Sequence, residues 1–546
     1  MTSFLTLGSA SLLLGGTLYW DFDNSVTGLQ AGSGTWDTNP GFGNRNWKVS
    51  SAGAGADISW NQNDDAVFQT SGTSLVTLAT DIGVNSITFN GTGYTIAATS
   101  PNTLILTGAG GNITANAAAT ISAPLAGTVG LTKLGSATLT LSGTNTYTGV
   151  TTISNGVLSV ATIGNLGQST NAATNLVFSG GTLRYTGATA STNRAFTITS
   201  GQTGIFDITT NNLTVSGAST NTSGALTKIG GGILTLSGAN AFTGLTTVSA
   251  GTLAYGITNA ISTGGVTVDG GTLALSTFSD TVGAVTLSSG SITGSTGVLT
   301  GTSYSLTNTG SVSAILAGAG VILTKTGAGT ATLSGANTYT GITSINDGTL
   351  IVNNTSGSGT GTNTVSVASV AKLFGTGTIS GATTVIGTQS SGASAGAVGT
   401  QTFSSSLTYS SGSIFEWDIN VSGASAETHD KVVAGSLLGS GAQFKIGLVG
   451  SGDTFTSAFW NSSRNWTATD LFGASNANVN LATIFSSSST STNFNANPTE
   501  GSFSFTSTGV GFTGNQLTWT AVPEPSSALA GVLLGAGLLR RKRNQR

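Results

Sequence analysis

The chain has 546 residues, and only 6% of them are charged, against about 25% in an ordinary soluble domain. Cysteine is absent, which excludes disulfides, thiolate metal sites and a cysteine nucleophile. The formal net charge is −3, yet Arg540, Arg541, Lys542, Arg543 and Arg546 are all basic, leaving about −8 on the remainder, the wrong sign for binding nucleic acid. Glycine supplies 82 residues and proline 6, while hydrophobic residues still make up 38%, enough to bury a long core. Strong helix formers are scarce, and Thr, Val and Ile are plentiful, so the chain reads as all-β.

Residues 1–18 form a signal-like segment. Phe4 to Leu18 is apolar and rich in small residues, like the hydrophobic region of a secretory signal, but the first basic residue is Arg45. A signal with a late-assigned start is favoured over a buried first strand. Residues 19–98 read as an N-terminal β cap leading into the first coils, and they hold Trp20, Trp36, Trp47 and Trp60. Core packing is the favoured role for these rings, with a carbohydrate platform as the alternative. Asp64 and Asp65 are consecutive; they read as a loop or turn pair, and on a strand they would point to opposite faces.

Residues 99–400 carry the architecture. Three segments, 130–160, 224–255 and 320–352, repeat without internal gaps. Each has a lysine (Lys133, Lys228, Lys325), an Asn 12 residues on (Asn145, Asn240, Asn337), an aromatic 14 on (Tyr147, Phe242, Tyr339) and glycines 16 and 23 on. Fixed spacing marks each unit as one structural object. Alternating apolar positions recur after 19 residues: Leu139 and Leu141 with Leu158 and Val160, Leu234 and Leu236 with Leu253 and Tyr255, Leu333 with Val352. That interval suits successive coils of a parallel β-helix, about 16 of them between roughly residues 70 and 400; an antiparallel meander is the alternative. The lysines read as solvating turns and discouraging edge pairing. The aromatics read as corner packing, with a sugar-stacking ladder as the alternative.

These units, with their LSGxNxxTG core, resemble the autotransporter-associated β-strand repeat, or passenger-associated transport repeat. The resemblance implies a right-handed parallel β-helix exposed at the cell surface. It does not extend to the membrane β-barrel that ends autotransporters, because this chain ends differently.

Residues 401–521 leave the repeat for longer, more charged segments with Trp417, Trp460, Trp466 and Trp519, and read as a C-terminal β domain. Catalysis has little to build on. Between Ile82 and Asn346 the acids are Asp207, Asp269 and Asp280, and the last two, eleven residues apart, fit neither adjacent coils nor one strand. Glu416 and Asp418 flank Trp417 on one face, read as solvated rather than cation-binding. His429 is the single histidine, beside Asp430, an acid that cannot easily orient the ring from the next position. No catalytic residue, cofactor or metal is expected.

Residues 522–546 combine Pro523, Glu524 and Pro525, an apolar run from Ala528 to Leu539, and the basic group Arg540, Arg541, Lys542 and Arg543. Twelve apolar residues rise only about 18 Å as a helix, short of a bilayer's roughly 30 Å core. This tail closely resembles the PEP-CTERM sorting signal of Gram-negative bacteria. The resemblance implies export, transient anchoring in the inner membrane through residues 528–539, and processing by an exosortase-type transpeptidase. The expected protein is a structural one of the cell surface or extracellular matrix, possessing no enzymatic activity. The alternatives are a carbohydrate-binding adhesin using the tryptophan clusters and a polysaccharide-degrading β-helix enzyme. Expected partners are the export machinery, the transpeptidase and extracellular polysaccharide.

Overall fold

A computed structural model describes residues 16–22, 28–38, 46–54, 57–394, 396–421, 427–449, 460, 462–473, 481–490, 501–507 and 515–521. The signal-like residues 1–15 and the whole tail 522–546 lie outside the described residues, as does the short apolar helix expected there. Among the described residues no helix is long and apolar enough to cross a membrane. The fold is all-β, a parallel solenoid of about 16 turns, and it divides into two units, Met1–Ala284 and Val285–Arg546.

In the first unit one sheet stacks Thr17–Trp20, Asp64–Phe68, Ile82–Phe89, Asn112–Ala115, Leu131–Leu134, Thr151–Ile153 and Leu176–Phe178 in parallel. A second stacks Gly34–Trp36, Ser74–Leu78, Tyr94–Ala98, Ala119–Ile121, Thr138–Leu141, Val157–Val160 and Thr182–Tyr185. The parallel pairing removes the meander alternative. In the second unit parallel ladders run from Tyr304–Leu306 through Leu323–Lys325 and Thr343–Ile345 to Val365–Val367. Beside them lie Thr330–Leu333, Thr349–Val352 and Lys372–Phe374. From Thr400–Tyr409 onward the strands lengthen, and an antiparallel sheet of Arg464–Thr467, Gly501–Ser507 and Asn515–Ala521 follows.

Register follows the apolar spacing. Leu139 faces Leu158 and Leu141 faces Val160; Leu234 faces Leu253 and Leu236 faces Tyr255; Leu333 faces Val352. Because side chains alternate along a strand, one apolar position in two lies inside and the Thr between them lies outside. Stacked inner leucines therefore form continuous columns.

Glycines make the coils closable. Gly156, Gly251 and Gly348, 23 residues past the lysines, have φ of 60°, 61° and 63°, the left-handed region that only glycine enters freely. Gly149, Gly244 and Gly341, 16 past the lysines, sit against the preceding coil: an added Cβ would lie 2.2 Å from Gly130 N, 2.3 Å from Gly224 O and 2.2 Å from Val321 O.

Asp64 and Asp65 are not in a loop. They begin the strand Asp64–Phe68, where Asp64 is buried and accepts from the Gly16 amide at 2.7 Å, while Asp65 accepts from Asn85 and Ser86. Pairing with Ile82–Phe89 supplies the ladder that sequence inspection of two acids in a polar stretch could not anticipate.

Candidate functional site

The residues that recur at fixed spacing converge inside the coil. Leu131 and Lys133 share strand parity, so both side chains enter the interior. Lys133, Lys228 and Lys325 are fully buried, which corrects the expectation that they solvate turns. Each ammonium closes the turn between two strands and ties it to the next coil. Lys133 Nζ donates to the carbonyls of Leu134 and Gly135 at 2.8 Å and of Asn155 at 3.1 Å. Lys228 repeats this on Ile229, Gly230 and Ala250, and Lys325 on Thr326, Gly327 and Asp347. Burial pushes Lys133 and Lys228 down to about 8 and lowers Lys325 as well. The three carbonyl dipoles stabilise each cation where no carboxylate is bonded to it.

The asparagines tie the remaining side of the coil to the coils above and below it. Asn145 Oδ1 accepts from the Leu125 amide at 2.8 Å in the preceding coil, and its Nδ2 donates to the Asn165 carbonyl at 2.6 Å in the following one. Asn240 bridges Ser219 and Ala260, and Asn337 bridges Leu316 and Gly359, in the same way. A single amide side chain thus satisfies backbone groups above and below it.

Tyr147, Phe242 and Tyr339 are buried beside these asparagines, as corner packing requires, so no sugar-stacking ladder faces solvent. Tyr147 and Tyr339 hydroxyls bond Thr151 and Thr343 Oγ1 at 2.7 and 2.6 Å, and those threonines donate onward to the Leu166 and Thr360 carbonyls. What remains outside is Ser142, Thr144, Thr146 and Thr148, a row of small hydroxyl side chains.

All eight tryptophans are buried, which overturns the carbohydrate-platform alternative. Trp20, Trp36, Trp47 and Trp60 form one cluster, with ring centroids 5.3 Å apart for Trp20–Trp47 and 4.8 Å for Trp47–Trp60. Trp417 meets Trp466, and Trp460 meets Trp519, each at 5.2 Å, in the second unit.

The remaining polar candidates are not arranged for catalysis. His429 donates through Nδ1 to the Asp430 carbonyl at 2.9 Å and lies against the Trp417 ring. The Asp430 carboxylate is occupied elsewhere, by Ser390 Oγ, the Gly399 amide and the Asp418 amide. Glu416 pairs with Lys445 at 3.0 Å rather than standing free in solvent, and Asp418 is buried rather than solvated. Burial and the neighbouring acid push Asp430 up to about 7 and Asp418 up to about 6. Asp280, buried beside Tyr255, is likewise pushed up to about 6. Among the described residues no three His, Asp or Glu side chains form a metal-binding group. The sorting residues Pro523, Glu524, Pro525, Arg540, Arg541, Lys542 and Arg543 lie outside the described residues.

Comparison with known proteins places this geometry. The profile of the passenger-associated transport repeat matches residues 131–160, 226–254 and 323–352. The chain is 43% identical over 115 residues to the adhesin BmaC autotransporter of Brucella suis biovar 1 (strain 1330), a stretch covering 20% of this chain and 3% of that protein. The crystal structure of the Haemophilus influenzae Hap adhesin aligns over 90% of this chain and 71% of that one, at 13% identity and a TM-score of 0.25. The chain therefore carries three passenger-associated transport repeats, each locked by its own lysine, asparagine and aromatic residue.

Proposed function

We propose that this chain is a surface-exposed β-helical structural protein of the adhesin type, exported by a Gram-negative-type bacterium and sorted through its C-terminal tail. The observation that carries the reading is the orientation of the repeats. Their lysine, asparagine and aromatic residues are spent inside the coil, and the outer face is left mostly to Ser and Thr, with Ala239 and Ala241 in the second repeat and an exposed Val150, Leu245 or Ile342 in each. Such a face suits weak contacts made many times over, with extracellular polysaccharide or neighbouring cells. Similarity over 115 residues to a named autotransporter adhesin supports surface exposure. In this reading Pro523, Glu524 and Pro525 mark the site processed by an exosortase-type transpeptidase, residues 528–539 hold the inner membrane until then, and Arg540 to Arg543 stay on the cytoplasmic side.

The test is the intact mass of the protein from surface and inner-membrane fractions of native cells, with surface labelling of the same cells. A labelled species ending near Pro523 to Pro525 is expected. A full-length species held in the inner membrane would sink the sorting step, and absence of surface label would sink exposure. Turnover of any polysaccharide that depends on Glu416, Asp418 or His429 would replace the reading with an enzymatic one.

A further inference from the structure

The coil after the first repeat departs from the regular pattern, and the departure opens a cavity. Two short 3-10 turns, Ile163–Leu166 and Ala173–Asn175, replace the single polar loop of the other coils. Beside them lies a cavity of about 500 Å³ bordered by Asn171, Ser191, Thr192, Asn193, Arg194 and Ser216. That volume falls in the usual range of small-ligand pockets, about 300–1,000 Å³.

Arg194 is the unusual member. It is only 7% exposed, yet the described residues give it no carboxylate partner. Its Nη1 donates to Ser169 Oγ at 2.8 Å and weakly to the Leu166 carbonyl at 3.4 Å, and Nη2 donates to the Gly167 carbonyl at 2.8 Å. These bonds hold the guanidinium in place and leave part of its five-donor fork unused. A buried cation without a counter-charge is costly, and no acid borders the cavity to offset it. Asn171, Ser191 and Asn193 are exposed at the rim, and their side chains make no hydrogen bond among the described residues. Thr192 and Ser216, by contrast, are engaged with the backbone of Arg194 and of Thr192.

We infer that this cavity binds a carboxylated sugar, a uronate unit of an acidic polysaccharide. Its carboxylate takes the free donors of Arg194, and its ring hydroxyls bond Asn171, Ser191 and Asn193. A planar guanidinium held at fixed orientation matches a carboxylate in two-point geometry. No aromatic ring borders the cavity, so recognition here runs through hydrogen bonds and charge rather than stacking. The inference deepens the polysaccharide contact proposed above and depends on surface exposure for its biological meaning, whereas binding by the purified chain does not.

The test is calorimetric titration of the purified full-length protein with an oligoglucuronate, with a glucose oligomer of equal length and acetate as controls. One saturable site for the uronate is expected, with no detectable binding of the neutral oligomer and at least tenfold weaker binding of acetate. The double variant Ser191→Ala/Asn193→Ala should bind about tenfold more weakly with an unchanged melting curve, because neither side chain bonds the fold. Arg194→Lys should lose binding by more than tenfold. Failure to bind the uronate, equal affinity for the glucose oligomer or for acetate, or unaltered affinity in the double variant would each overturn the inference. A protein that binds uronate but is not displayed on cells would instead overturn the surface reading alone.

Discussion

Replacing Lys133 by Met tests whether the buried lysines hold the coils together. Met keeps the volume of the side chain and removes the ammonium that joins the carbonyls of Leu134, Gly135 and Asn155. Three hydrogen bonds to a charged donor are worth about 1.5–3 kcal/mol each. Opposing them is the cost of burying the cation: a shift from 10.5 to about 8 corresponds to about 3 kcal/mol. Met makes none of the three bonds and leaves buried carbonyls without donors, so Lys133→Met should loosen the repeat by about 3 kcal/mol at pH 7. In a solenoid each coil depends on its neighbours, so the loss should be local. Hydrogen exchange of peptides within residues 125–160 reads that local opening directly. The pH dependence gives a second, sharper check. Because the folded pKa lies below the unfolded value, the unfolded chain holds more protons between about pH 8 and pH 10.5, so this lysine's contribution to stability rises across that window. Met does not titrate. The penalty for Lys133→Met should therefore grow with pH, by up to about 2 kcal/mol at pH 9.5 in urea unfolding. A penalty below about 0.5 kcal/mol at pH 7, or one that shrinks as pH rises, would refute the reasoning.

Other perturbations probe the remaining parts of the lock. Asn240→Ala orphans the Ser219 amide and the Ala260 carbonyl and should cost about 2–3 kcal/mol, read as faster exchange in the coils on both sides. Gly251→Ala forces φ of 61° on alanine and places its Cβ 2.3 Å from Gly230 O, so a loss of at least about 2 kcal/mol in urea unfolding is expected. Asp418 and Asp430 titrate near 6 and 7 in the fold, above their unfolded values, so their stabilising contribution is complete below about pH 4 and is lost as pH rises through that range. Thermal melting followed by tryptophan fluorescence should accordingly show a higher midpoint at pH 5 than at pH 8.

The sequence carried the strand register because it needed only periodicity. Leu139 over Leu158 and Leu234 over Leu253 follow from a repeated interval and a hydrophobic interior, and no long-range information is required. The lysines misled for a definite reason: an isolated cation in an apolar strand reads as a surface residue, since burying charge usually costs more than it returns. Parity was the available signal, because Lys133 follows Leu131 by two positions and must enter the same interior. The carbonyl cage that makes this tolerable involves Asn155, 22 residues away, and its shape depends on glycine turns that composition does not specify. Similarly, the inward tryptophans were legible as clusters, but which face they took depended on tertiary packing. Arg194 gave no sequence signal at all; it stands outside the repeats, and its burial arises from an irregular loop.

The same enclosure bears on how readily proteases could open the chain. Trypsin-like enzymes cut after Lys or Arg, and they need several residues of extended, accessible chain around the bond. Between residues 57 and 394 the cationic side chains are Lys133, Arg184, Arg194, Lys228, Lys325 and Lys372; the three repeat lysines are sealed inside the coils, and Arg194 is nearly buried at its cavity. Arg184 is held by Asp207 at 2.7 Å, which leaves Lys372 as the one exposed side chain of the six without an ion-pair partner among the described residues, and its backbone is paired on both sides. The residues that fasten each coil also withhold from digestion the bonds at which it would otherwise be opened.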